Sequence, residues 1–309
     1  MKFVYPETYE LKQESELKEL GLSAYVLRHK KSGARVICIP CEDNNKTFSV
    51  TFRTPPVDDS GLPHILEHSV LCGSDKYPVK EPFVDLLKSS VQTFLNAMTY
   101  PDKTVYPVSS RNDQDFLNLI DIYLDAVLHP AIYHKPEIFR QEGWRYETDE
   151  NGQAVYQGVV LNEMKGAMSS PLEVMEEAMG AQMFPDNCYG FNSGGDPAHI
   201  PDLTYTQFLD NHRKYYHPSN ARISLVGSVR LDDVLEKIDS FLCPYDRLNL
   251  SFDIPMQVPV PAKTVTLPYE VGQEEPETER THICSGALIG TYADGELNMA
   301  ANLIADYLA

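Results

Sequence analysis

One short stretch constrains this chain more than any other: Gly61-Leu62-Pro63-His64-Ile65-Leu66-Glu67-His68-Ser69-Val70-Leu71. Pro63 suits the first turn of a helix, where its missing N–H leaves no bond unmade. Ile65, Leu66, Val70 and Leu71 are apolar enough to bury that helix against a sheet. His64 and His68 are four apart, so on a helix they share one face, a turn from each other. Two imidazoles so placed reach one metal ion. Glu67 is one residue off that face and can lean over the ion without binding it. The alternative is a buried helix with two incidental histidines, since three fixed positions in five residues do occur by chance.

H-x-x-E-H is the signature of the inverted zinc peptidases. Catalytic zinc takes three protein ligands and keeps a fourth position for water, whose proton a nearby carboxylate accepts. A third ligand must come from elsewhere in the chain. The best candidate is Glu163, in Gly158-Val159-Val160-Leu161-Asn162-Glu163-Met164-Lys165-Gly166-Ala167-Met168, a short apolar helix with Ser169-Ser170-Pro171 as its stop. The competing reading of Glu163 is an exposed helix glutamate, the usual fate of a single Glu. Spacing does not separate the two.

The stretch from Gly61 to Asn112 (GLPHILEHSVLCGSDKYPVKEPFVDLLKSSVQTFLNAMTYPDKTVYPVSSRN) resembles the insulinase/pitrilysin superfamily of zinc peptidases (M16). Within it the chain is similar to the presequence-protease branch, which includes falcilysin and many bacterial members. Further matching segments are Lys135 to Trp144, Gly158 to Pro171, Gly194-Gly195-Asp196-Pro197 and Tyr215-Tyr216-His217-Pro218-Ser219-Asn220. The resemblance implies His64, His68 and Glu163 as ligands of one Zn2+ and Glu67 as general base. It implies that Asn96-Ala97-Met98-Thr99 is an edge strand beside the zinc, where a bound peptide adds as an extra strand through main-chain hydrogen bonds. Asn96 either holds a substrate carbonyl or closes a turn. The implied activity is zinc metalloendopeptidase action on unstructured peptides. Family members are much longer, with four related domains in two halves. The C-terminal half supplies an Arg and a Tyr that bind substrate and stabilise the oxyanion. The expectation is therefore an N-terminal part whose partner is the C-terminal half of the same enzyme, weakly active or inactive alone. A non-catalytic structural or partner subunit is the alternative, but such relatives typically lose ligands.

Composition limits the partners. The net charge of −19, from 45 acidic and 26 basic residues, argues against nucleic acid and against an anionic membrane surface. It suits basic peptides drawn into a cleft. The six cysteines are scattered; Cys38-Ile39-Pro40-Cys41 has no second pair and ends a strand, so reduced thiols are expected. Met1 to Glu7 carries no apolar or Arg-rich address, and no apolar run approaches a membrane span. The expected location is cytoplasmic.

The expected fold is α+β: a mixed, mostly antiparallel sheet with helices packed on it, followed by the start of a second related αβ domain. The boundaries read as an arm or short helix over 1–20, a catalytic zinc domain over 21–245, a Pro-rich linker over 246–262 and a truncated second domain over 263–309. Strands are expected over Tyr25–Arg28, Ala34–Ile39, Thr47–Phe52 and Ala221–Gly227. Lys31-Ser32-Gly33 is expected to turn between the first two. Two more strands should flank Tyr100-Pro101-Asp102-Lys103. Helices are expected at 83–90, 112–128, 172–184, 204–216, 231–242 and 297–309. Trp144 is expected against the sheet. His129, His134 and His217 read as packing or surface residues. Gly190 to Pro197 reads as a flexible loop, Gln273 to Glu279 as an acidic loop, and Thr281 to Thr291 as a strand.

Overall fold

The computed structural model describes residues 3–79, 86, 88–269, 278 and 280–308. These form two compact units, Met1–Gly166 with Asn192–Asp253, and Ala167–Phe191 with Ile254–Ala309. The first unit is built on a sheet of eight strands: β1 (Tyr9–Leu17), β2 (Leu22–His29), β3 (Arg35–Pro40), β4 (Lys46–Arg53), β5 (Gln92–Leu95), β6 (Met98–Tyr100), β7 (Lys103–Ser110) and β10 (Arg222–Gly227). The order is β1-β2-β3-β10-β4-β7-β5, with β6 also paired to β7. Every pairing is antiparallel except β3 with β10. The sheet is thus mixed and mostly antiparallel, as expected.

Alternation makes the core. In β4, Phe48, Val50 and Phe52 are buried, while Thr47, Ser49 and Thr51 take the opposite face. Val36 and Cys38 of β3, Ile223 and Leu225 of β10, and Tyr106 and Val108 of β7 join the buried face. Helix α2 (Asp113–Leu128) packs on it through Phe116, Leu119, Ile120, Tyr123, Leu124 and Val127. Helix α7 (Leu231–Leu242) closes over α2 with Val234, Leu235, Ile238, Phe241 and Leu242. Each large side chain so buried contributes about 1.5–3 kcal/mol.

Several expectations are corrected. Residues 9–17 are an edge strand rather than an arm or helix, paired along their length with β2. Their charged residues suit an edge, and Tyr9 anchors them, its hydroxyl donating to the Leu235 carbonyl at 3.1 Å. A hairpin of β8 (Arg145–Thr148) and β9 (Ala154–Gln157) stands apart from the sheet and was not anticipated. Trp144 packs on that hairpin, edge-on to Tyr146 and Tyr156, and not on the sheet. Residues 281–291 form no strand, having no neighbouring strand to complete them. Residues 83–85 and 87 of the expected 83–90 helix lie outside the described residues, and 86, 88 and 89 are helical; all but one residue of 273–279 also lie outside.

Helices α1 (Leu62–Val70), α3 (Pro136–Glu142), α4 (Val159–Ala167) and α6 (Tyr205–Tyr215) complete the elements around the site. In the second unit, α5 (Pro171–Met183) and α8 (Gly295–Leu308) have no buried residue. None of the six cysteines is joined in a disulfide. No helix among the described residues is long and apolar enough to cross a membrane.

Candidate active site

Helix α1 is buried on all sides: of its nine residues only His68 is partly open. It packs against α3, α6, β6 and β7. Its start is fixed by a close backbone approach. Gly61 holds φ of 65° at the N-cap, and a Cβ there would lie 2.6 Å from the Gly194 carbonyl oxygen. Gly195, at φ of 104°, would reciprocally clash with the Gly61 Cα at 2.7 Å. Only glycine fits either position. The loop carrying these glycines is pinned rather than flexible. Asp59 takes the Asn192 amide on its side chain and the Asp196 amide on its carbonyl, both at 2.8 Å. Asn192 Oδ1 accepts from the Gly194 and Gly195 amides at 2.9 and 3.2 Å.

That loop delivers the Gly194 carbonyl to His64, whose Nδ1 donates to it at 3.1 Å. His68 Nδ1 lies 3.3 Å from Glu142 Oε2. With both Nδ1 atoms engaged, both Nε2 lone pairs are left for another partner. Glu163 Oε2 is 3.7 Å from His64 Nε2 and 3.6 Å from His68 Nε2. The donor atoms of His64, His68 and Glu163 all lie within 4.8 Å of one another, the one such trio among the described residues. Two imidazole nitrogens and a carboxylate fit a divalent cation of zinc's type.

Glu163 reaches this point through local packing. Val160, Leu161 and Met164 bury one side of α4. Gly158, just before it, sits so close to the end of α3 that a Cβ would be 1.9 Å from the Gly143 carbonyl oxygen. The β8–β9 hairpin brings the chain back to make that contact, so α3 and α4 address one pocket. Glu163 remains half-open to solvent, its side chain 53% exposed.

Glu67 is 7% exposed and lies between the trio and the edge of the sheet. It takes a 2.6 Å hydrogen bond on Oε2 from the Thr99 hydroxyl of β6. Strands β5 and β6 run along the same side of β7, interrupted at Asn96 and Ala97, and their outer side carries no strand among the described residues. The Asn96 amide bonds the Pro107 carbonyl at 3.2 Å, and its own carbonyl accepts from Tyr123 at 3.3 Å. A pocket of about 860 Å³ opens here, lined by His64, Glu67, His68, Glu163 and the run from Asn96 to Tyr100. Every expected site residue is therefore gathered at one place.

Electrostatics follow from burial and carboxylates. Burial pushes the His68 pKa down, but the Glu142 hydrogen bond and the charges of Glu67, Glu142 and Glu163 outweigh it and hold it above the ordinary value. Burial likewise pushes Glu142 up, and the bonds from His68, Gln141 and Cys72 bring it net below the ordinary range. Glu142 was not singled out from the sequence. The signal was its helical spacing from Ile138, which sets a carboxylate on the apolar face of α3. His129, bonded to Asp125 at 3.0 Å, and His217, capping the turn at Pro218–Asn220, serve packing, as expected.

Comparison with known proteins agrees with this geometry. The profile described as insulinase (peptidase family M16) matches residues 53–181, and that of the peptidase M16 inactive domain matches residues 202–309. The chain is 47% identical over 292 residues to Protein HypA of Clostridium perfringens, covering 94% of this chain and 30% of that protein. It is 52% identical over 231 residues to presequence protease 1, chloroplastic/mitochondrial, of Arabidopsis thaliana, covering 74% of this chain and 21% of that protein. The chain thus spans less than a third of these relatives. The crystal structure of pitrilysin shares the fold with a TM-score of 0.63 at 19% identity, covering 82% of this chain and 26% of that one. A protease from Helicobacter pylori does so with a TM-score of 0.57 at 17% identity, over 81% and 53% of the two chains. With matches to both family profiles and to curated relatives of the presequence-protease type, the chain belongs to the M16 (insulinase/pitrilysin) family of peptidases.

Proposed function

We propose that residues 1–309 carry the zinc-binding catalytic apparatus of a metalloendopeptidase acting on unstructured peptides. The observation that carries the reading is the buried Glu67 beside the His64, His68 and Glu163 trio, at the foot of an open sheet edge. His64, His68 and Glu163 would hold zinc, which would supply a Lewis acid for the scissile carbonyl and for the attacking water. Glu67 accepts the proton of the attacking water and returns it to the leaving amine. Thr99, bonded to Glu67 Oε2, fixes the rotation of the carboxylate and leaves Oε1 for the proton. The outer side of β5 and β6 offers main-chain groups to an extended substrate, which becomes a further strand. Such pairing reads backbone, so sequence preference is loose and folded substrates are excluded.

The relatives' length bears on what this segment does by itself. If oxyanion donors come from a further half of the enzyme, their absence removes a term in which one donor is worth about 10²–10³ in rate. Hydrolysis by residues 1–309 alone is then weak, and adding the C-terminal half restores it. The test is zinc content and peptide hydrolysis of the segment and of the complete enzyme. Glu67→Gln should keep zinc and lose about 10²–10⁴ in rate in the complete enzyme. His68→Ala should lose most of the zinc. Near-normal turnover by the first variant, or unchanged zinc in the second, overturns the reading.

A further inference from the structure

We propose that Met179, Met183 and Cys284 of the second unit form a binding site for a soft monovalent cation, copper(I), separate from the His64, His68 and Glu163 trio. Met175, Met179 and Met183 recur every four residues of α5, so one face of that helix carries a row of thioethers. The Cys284 thiol donates to Met179 Sδ at 3.6 Å. A Cβ on Gly286 would lie 2.4 Å from Met183 Sδ and 3.0 Å from Met179 Sδ. Both thioether sulfurs therefore border the space that Gly286 leaves free. Cys284, two residues before that glycine, brings a third sulfur to the same place. All of these residues belong to one compact unit.

Packing does not account for the three sulfurs. Methionine ordinarily fills gaps in a core, yet α5 has no buried residue and Cys284 is exposed. The donor set selects the metal. Thiolate and thioether are soft and favour copper(I). Zinc takes thiolate, imidazole or carboxylate, and calcium and magnesium take oxygen, so a pair of thioethers suits none of them. The charges also balance. The thiol gives up its proton on binding, and one thiolate with one monovalent cation is neutral. The net charge of −19 draws cations to the chain in any case. The C-x-x-C pair does not compete: Cys38 is fully buried, and burial pushes its thiol up to about 12, so that pair does not offer two thiolates at neutral pH.

The test titrates copper(I), kept reduced by ascorbate, into residues 1–309 against the chromophoric chelator bathocuproine disulfonate. Zinc is present in excess to occupy the harder donors. The wild-type protein should hold one copper(I) per chain that zinc does not displace. Cys284→Ser should lose it to the chelator. The double variant Met179→Leu with Met183→Leu keeps the size of both side chains and removes both sulfurs, and it should lose the copper(I) too. Cys243→Ser, at an exposed cysteine of the first unit, should bind as the wild type does. Complete stripping of the wild-type protein by the chelator, or displacement by zinc, overturns the proposal. So does loss in Cys284→Ser with none in the methionine variant, which marks Cys284 as an ordinary surface thiol. Wild-type binding by Cys284→Ser and the methionine variant alike places the copper(I) elsewhere and overturns it as well.

Discussion

Helices α1 and α8 are made of similar material and meet opposite fates. The first, LPHILEHSV, is buried almost completely; the second, GELNMAANLIADYL, has no buried residue. Met299, Leu303, Ile304 and Leu308 of α8 are each more than half exposed. Apolar content makes both helices, but burial requires neighbours within the same unit. Helix α1 has α3, α6, β6 and β7 around it. Chemistry that depends on desolvated carboxylates and oriented imidazoles is possible only in the first setting. The contrast extends to whole units: one has a two-layer core, the other has helices α5 and α8 without one.

The largest way to break that contrast is to truncate one large apolar side chain in each unit. Phe48 is fully buried in β4, and Phe48→Ala should cost about 3–5 kcal/mol in urea unfolding. Leu303 is 63% exposed, and Leu303→Ala should stay within about 0.5 kcal/mol. A comparable cost for both would mean that α8 is packed in solution and that the contrast is wrong.

Acid should act on the first unit through a buried histidine. His212 of α6 donates from Nε2 to the Val127 carbonyl at 3.0 Å and takes the Tyr133 hydroxyl on Nδ1 at 2.7 Å. Burial lowers its pKa from 6.5 to about 4. The folded state therefore refuses a proton that the unfolded chain accepts between those values. Stability from this group is complete above pH 6.5 and falls as pH drops toward 4. The full difference is about 3 kcal/mol. His212→Gln should flatten that part of the pH profile, measured as urea midpoints across the window. An unchanged slope in the variant would remove His212 as the cause.

Legibility in the sequence followed the range of the contacts. Strands β2, β3, β4 and β10 announced themselves by local alternation or apolar runs. Strand β1 did not, because Glu10, Lys12, Gln13 and Glu14 carry no strand signal and only pairing with β2 makes them one. Expecting a strand at 281–291 failed for the converse reason: β-branched residues without a partner strand stay irregular. At the site, His64, Glu67 and His68 were readable because one helix turn joins them. Glu163 was a candidate from its own apolar helix but was decided only by resemblance, since its approach depends on the Gly143–Gly158 contact far from the motif. Thr99 was expected beside the substrate strand, yet that its hydroxyl meets Glu67 follows from the register of β6 on β7. The Gly194 carbonyl was invisible, and Glu142 showed only as a carboxylate spaced onto the apolar face of α3, because the groups they hold are distant in sequence.

The smallest test compares helix caps, and it probes the contrast most directly. Asn112 caps α2, its side chain accepting the Asp115 amide at 3.0 Å. Asp294 does the same for α8, accepting the Leu297 amide at 3.0 Å. The bonds match in length, but the helices differ in what else supports them. Helix α2 is held by its buried face, so losing the cap subtracts about 1 kcal/mol from a cooperative unit and leaves the helix intact. Helix α8 has no buried face, only its own hydrogen bonds, this cap and the bonds of the Asn298 side chain to the Thr291 and Asp294 carbonyls at 2.9 and 2.6 Å, and an isolated helix of its length is marginal in water. Asn112→Ala should therefore lower the unfolding midpoint while amide exchange across α2 stays slow. Asp294→Ala should leave the midpoint unchanged while exchange across 295–308 accelerates toward the unprotected rate. If Asp294→Ala instead shifts the global midpoint, α8 belongs to the cooperative core, and the division between the units is narrower than their burial implies.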